Sequence, residues 1–69
     1  MRKVVLGVRG MDTVQAIDKV RETIQRLAGV TEVEPTSDGQ VTITYDSTEV
    51  TAMDFIRALR KVGFLSGVE

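Results

Sequence analysis

The 69-residue chain has no cysteine and no histidine. Their absence removes disulfides, thiolate and imidazole ligands, and the ordinary nucleophile-base pairs of covalent catalysis. No apolar run approaches the roughly 20 residues that span a bilayer, and the opening stretch MRKVVLG is too short and too soon interrupted for a signal peptide. The expectation is a soluble, cytoplasmic chain without membrane insertion. Excess charge of one sign is also missing, because 9 Lys+Arg stand against 10 Asp+Glu for a net charge of -1. That balance argues against a nucleic-acid partner held by overall charge. At this length the chain makes one domain at most, near the size below which a single core gives only a few kcal/mol, so burial must be efficient.

What is present is pattern. Residues 3–9 alternate, with Val4, Leu6 and Val8 on one side and Lys3, Val5, Gly7 and Arg9 on the other, as in a half-buried strand. From Thr13 the period changes: Val14, Ile17, Val20, Ile24 and Leu27 are three or four apart and predict an amphipathic helix. Asp12 fits the N-cap, with Gln15 three residues on, and Gly29 fits the position after the helix where φ turns positive. Residues 30–35 read as a short strand that Pro35 places at an edge or a strand end. Ser37-Asp38-Gly39 supplies the turn into Val41, Ile43 and Tyr45, which alternate with Thr42 and Thr44, so the two strands form a hairpin.

The second half repeats the strand-to-helix step. Thr51 caps a helix with Asp54 at its third position, Val50 and Phe55 are spaced as a hydrophobic staple, and Ile56, Leu59 and Val62 continue the stripe until Gly63. Phe64 to Val68 leaves room for a last strand. Two strand-helix-strand units with right-handed crossovers interleave into an α+β domain of ferredoxin-like βαββαβ topology, a four-stranded antiparallel sheet with both helices on one face.

Several stretches together carry a family resemblance over almost the whole chain. They are Val8-Arg9-Gly10-Met11, Leu27-Ala28-Gly29-Val30, Val41-Thr42-Ile43-Thr44-Tyr45-Asp46 and Leu59-Arg60-Lys61-Val62-Gly63-Phe64. The chain resembles the heavy-metal-associated domains of copper chaperones, mercury-binding proteins and the N-terminal modules of soft-metal transporting ATPases. The resemblance implies a Gly-Met-x-Cys-x-x-Cys loop whose two cysteines hold Cu(I), Zn(II), Cd(II) or Hg(II). Here Thr13 and Ala16 stand at those two positions. Side chains three apart at a helix start project from one face, and the positive helix end lowers a thiol's pKa there. A hydroxyl and a methyl offer no such clamp, since neither competes for a soft cation against cellular thiols.

Other donors are sparse. Met11 has a thioether, a weak soft donor, although the resemblance implies a methionine that packs beneath the loop as core filler. Asp12 is a possible hard-metal ligand whose competing role is the helix cap, worth about 1 kcal/mol. Met11 and Asp12 are thus the candidates for residual metal binding. The helix start, preceded by Gly7 and Gly10 with Arg9 nearby, is a candidate small-anion site, although Asp12 puts a negative charge there first and no P-loop or dinucleotide fingerprint is present. Glu32, Glu34 and Asp38 lack the spacing of a calcium loop and read as a solvated edge. The outward sheet face, Lys3, Val5, Gly7 and Arg9 beside Gln40, Thr42 and Thr44, lacks the aromatic platform of RNA-binding domains of this topology. No nucleophile, base or cofactor motif is visible, so neither an enzyme nor a resident cofactor is expected.

Charge is polarised: Lys19, Arg21, Arg26, Arg57, Arg60 and Lys61 lie on the helices, and the acids Glu32, Glu34 and Asp38 lie on the hairpin. One reading is solvated helix faces with weak Glu22–Arg26 or Asp54–Arg57 pairs. The other is a docking surface of Arg9, Lys19, Arg57, Arg60 and Lys61. The resemblance implies a soft-metal ATPase or another metal-handling protein as partner. A homodimer through the Val5, Thr42 and Thr44 face is the alternative. The expected function is a protein interaction or regulatory module, ahead of residual metal binding and anion binding.

Overall fold

The computed structural model describes residues 1–36 and 38–69. Alternation in β1 (Arg2–Arg9) is resolved by two antiparallel neighbours, β3 (Gln40–Tyr45) and β4 (Leu65–Val68). β2 (Val30–Pro35) pairs with the far side of β3, which gives the order β2-β3-β1-β4. Pro35 therefore ends an edge strand, where its missing N–H costs no ladder hydrogen bond. The expected turn residue Ser37 lies outside the described residues. Gly39, two residues on, takes φ +80°, and its carbonyl accepts the Val8 amide at 2.8 Å.

The register places Lys3 opposite Thr44, Val5 opposite Thr42 and Gly7 opposite Gln40. The other set, Leu6, Val8, Val41 and Ile43, is buried with Val33 and Tyr45 against Val20 and Ile24 of α1 (Val14–Gln25) and Phe55 and Leu59 of α2 (Ala52–Lys61). Both helices thus cover one face, as the ferredoxin-like pattern predicts. Tyr45 and Phe55 meet edge to face, with ring centroids 5.1 Å apart.

Three local expectations are corrected. Val14 is 73% exposed and takes no part in the core. The buried stripe centres on Val20 and Ile24, and at about 100° per residue Val14 falls roughly a quarter-turn away from it. Val62 is exposed as well: α2 ends at Lys61, and Val62 is its C-cap residue, where the backbone has left the helical path that would continue the stripe. Gly29 does not follow the last helical residue: α1 ends at Gln25, and Gly29, with φ +85°, sits in a turn closed by the Val30 amide on the Leu27 carbonyl at 3.4 Å. A Cβ on Gly29 would come within 2.9 Å of Glu49 Cβ, so the loop before α2 lies tight against it.

The second helix follows its signals closely. The Asp54 carboxylate accepts the Thr51 amide at 2.9 Å and the Thr51 hydroxyl at 3.2 Å, and Val50 and Phe55 are both buried. At the other end Gly63, with φ +94°, donates to the Arg60 carbonyl at 3.1 Å and Phe64 donates to that of Leu59 at 2.9 Å. This paired closure at a left-handed glycine satisfies two orphan carbonyls and folds Phe64 back over the helix end.

Candidate functional site

The loop between β1 and α1 is held from below. Gly10 takes φ +89°, a conformation side chains disfavour, and a Cβ there would lie 3.7 Å from the Phe64 ring. Met11 follows and is 5% exposed, within the core cluster. Its thioether therefore packs beneath the loop. Asp12 is exposed.

The helix cap is one residue later than the sequence pattern suggested. Thr13, not Asp12, is the N-cap: its backbone is extended, its Oγ1 accepts the Ala16 amide at 3.1 Å, and its carbonyl accepts the Ile17 amide at 2.9 Å. Aspartate ranks somewhat above threonine as a cap, so residue type alone points to Asp12, and the tertiary structure overrides it. Burying Met11 fixes the loop's path, and the first extended residue able to reach back to an amide is then Thr13. Thr13 is exposed and Ala16 half-buried, and the bond between them makes them neighbours at the helix start. A hydroxyl committed to an amide and a methyl group occupy the two facing positions.

Among the described residues no three His, Cys, Asp or Glu side chains gather into a metal-holding group. The cations Arg9, Lys19, Arg57, Arg60 and Lys61 are all exposed. Arg9 ends β1 opposite Leu65, and Arg60 and Lys61 end α2, whose closing turn brings Phe64 to Gly10. These three cations therefore share the loop's end of the molecule. Arg57 and Lys61 also line an open groove of about 610 Å³ between the helices, with Leu27, Val50, Ala58 and Val62 as its apolar lining. No pattern in the sequence announced this groove, since its walls come from two helices far apart in the chain.

The expected Glu22–Arg26 and Asp54–Arg57 pairs do not form. Asp54 is taken by the Thr51 cap, and the ion pair among the described residues is Asp18–Arg21, at 2.7 Å on the surface. Such a pair contributes little to stability. Asp46, in the loop before α2, accepts the hydroxyl of Thr48 at 2.7 Å and its amide at 2.9 Å. Those bonds, the hydroxyl first, hold its carboxyl below the ordinary value of 3.8. No helix among the described residues is long and apolar enough to cross a membrane.

Fold and loop together define a class: a small βαββαβ module with a tight, Met-anchored loop at the N-terminus of its first helix. The family model of the heavy-metal-associated domain matches residues 5–64, and the chain belongs to that family. Among solved structures it is similar to oxidized MerP from Ralstonia metallidurans CH34, at 26% identity over 99% of this chain and 96% of that one, with a TM-score of 0.94. It is similar to the yeast copper transporter domain Ccc2a, solved in apo and Cu(I)-loaded states, at 27% identity over 100% of this chain and 96% of that one, TM-score 0.91. A copper-binding domain of the P-type ATPase HMA7 shares the fold, with 21% identity over 100% of this chain and 95% of that one and a TM-score of 0.95. None of the curated protein sequences compared matches this chain. The chain is thus a heavy-metal-associated-type domain without a single cysteine.

Proposed function

We propose that this domain has kept the architecture of the metal-carrying lineage, has given up chelation, and works by contact with another protein as an interaction or regulatory module. One observation carries the reading: the first donor position holds a hydroxyl already used as the helix cap, and the second holds a methyl group. A soft cation at that point would meet no thiolate and would have to displace the bond that starts α1. Residual binding through Met11 would require the thioether to leave the core, where it is 5% exposed, and Asp12 would act alone.

The contact surface we assign is built on Arg9, Arg60 and Lys61 at the loop's end of the molecule, extended by the exposed Lys19 and Arg57 along the two helices, facing an acidic partner. Complementary charge of this kind sets approach and orientation more than affinity, and it does not depend on a metal. A relative described as a copper transporter domain supports a metal-handling protein, such as a soft-metal ATPase, as that partner. Neither catalysis nor a resident cofactor is part of the proposal.

Two measurements test it. Titration with Cu(I), Zn(II) and Cd(II) against a competing thiol should give no saturable signal at micromolar metal, and a saturable one overturns the loss of chelation. Amide shifts of the labelled domain mixed with a soft-metal ATPase domain from the same cell should move around Arg9, Arg60 and Lys61. A spectrum that stays unchanged with every such domain, at low salt, removes the docking reading.

A further inference from the structure

The two edges of the sheet are built on opposite principles. β2 carries exposed Glu32 and Glu34, a register shift between Val30 and Glu32, and Pro35 at its end. Charge, irregularity and proline are the devices by which edge strands avoid pairing with another chain. β4 reads Leu65-Ser66-Gly67-Val68, with neither charge nor proline, and Leu65 and Val68 are 59% and 58% exposed.

The phase of the β4 edge follows from its pairing. The Glu69 amide donates to the Val5 carbonyl at 2.9 Å, and Gly67 and Leu65 stand opposite Gly7 and Arg9. In an antiparallel ladder the hydrogen-bonded pairs recur at every second residue. Leu65, Gly67 and Glu69 therefore bond inward to β1, and Ser66 and Val68 turn their N–H and C=O groups outward. The alternate set on β1 agrees, since the Val8 amide points away from β4 to the Gly39 carbonyl.

We propose that β4 pairs antiparallel with β4 of a second copy about a two-fold axis at Gly67, joining two sheets into one. In that register Ser66 of each copy opposes Val68 of the other, and each pair exchanges both of its hydrogen bonds. Gly67 then faces its own counterpart at the close, non-hydrogen-bonded position, where Cα atoms are about 4.5 Å apart. Nothing in a single copy fills that place, because a Cβ built on Gly67 finds no atom within 4 Å. Charge selects the occupant: β4 opposes none to itself, whereas the same operation at β2 sets Glu32 and Glu34 against like charges. Glu69 does not interfere, because its carboxylate lies over Gly7 and accepts Gln40 Nε2 at 3.1 Å. The pairing is self-complementary and closes on itself, which a single foreign strand does not require.

Stable interfaces bury about 1,600 Å² in total, and a strand this short falls well below that, so the association is weak and concentration-dependent. It leaves Val5, Thr42 and Thr44 uncovered and is therefore distinct from a dimer through the outer sheet face. Amide spectra of the full chain from micromolar to millimolar concentration test it. The expected result is movement confined to residues 65–69, with an isotope-filtered contact between the Gly67 Hα protons of two copies. Val68→Lys, an exposed change whose fold is verified by the rest of the spectrum, should abolish that movement. Ser66→Pro removes one outward N–H without touching the inward bonds and should do the same. Spectra that stay constant with concentration, movement centred on Val5, Thr42 and Thr44 or on β2, or unchanged association of Val68→Lys would each overturn the proposal.

Discussion

Replacing Thr13 and Ala16 together by cysteine restores the donor pair of the family's loop and tests the reading of this site from both directions. The substitution removes the Thr13 Oγ1 bond to the Ala16 amide, a cap worth about 1 kcal/mol. Ala16 is half-buried at the helix start, so the added sulfur there finds room at the surface. For a domain of this size about 1 kcal/mol lowers the melting temperature by roughly 4–8 °C. Metal then acts in the opposite sense, because a ligand that binds only the folded state at 100 times its Kd adds about 2.7 kcal/mol. Thermal unfolding followed by circular dichroism, anaerobically and with a competing thiol, should show the apo double variant below wild type and the Cu(I)-loaded variant above it. Wild type should not respond to Cu(I). Thr13→Ala alone should reproduce the apo loss, and Thr13→Ser, which keeps the hydroxyl, should not. An apo variant as stable as wild type would refute the cap, and a folded variant indifferent to Cu(I) would refute the convergence of positions 13 and 16.

Three further outcomes follow from particular contacts. Gly29→Ala sets a side chain at φ +85° and 2.9 Å from Glu49 Cβ, and should cost about 2 kcal/mol or more in urea unfolding; a cost below that of an exposed helix substitution would contradict the tight turn. The Ser66 hydroxyl is buried without a partner among the described residues, so Ser66→Ala should be neutral or stabilising by up to about 1 kcal/mol in the same assay, and a loss of stability would reveal a hidden bond. Asp46 has a folded pKa below its unfolded value, so its contribution is complete above the ordinary 3.8 and is lost as pH falls through the lower, folded value. Carboxyl carbon shifts should titrate below 3.8 in wild type and at a higher midpoint in Thr48→Val, which loses the hydroxyl bond and keeps the amide bond, and equal midpoints would remove the Thr48 hydroxyl as a cause.

The topology was legible because burial alternates at period two in β1 and β3 and changes to the helical period after each, and because Gly63 and the Thr51-Asp54 pair mark helix ends by chemistry that few other residues supply. The first helix was harder to place. Asp12 is the stronger cap by residue type and Thr13 the actual one, so local preference points one residue early and the burial of Met11 beneath the loop, a tertiary fact, overrides it. Gly29 misled for a related reason: it announces positive φ truthfully, but close approach of the Glu49 loop, not a helix end, is what demands it. Asp54 looked equally able to cap or to pair with Arg57, and the shorter reach to the Thr51 amide wins. The groove between the helices had no local signature at all.

The cap also bears on how such a domain keeps its fold with no metal to bind. Two exposed thiols at a helix start contribute little to the stability of an apo domain, and a metal linking them adds binding energy only while it is bound. A threonine at the first position satisfies an orphan amide permanently, and α1 then starts from a bond that no cellular thiol can remove. Beneath it the loop is held by features independent of any ligand: Gly10 against Phe64, Met11 in the core, and the closing turn of α2. The shape of the loop end and the cations Arg9, Arg60 and Lys61 beside it are therefore available at all times instead of only in a loaded state. If contact through this end is what the domain does, neutralising Arg60 and Lys61 together should weaken a partner complex in proportion to its sensitivity to salt, while Thr13→Ser leaves it unchanged. A complex indifferent to both salt and these charges would place its interface elsewhere on the molecule, and the β4 edge would be the next surface to probe.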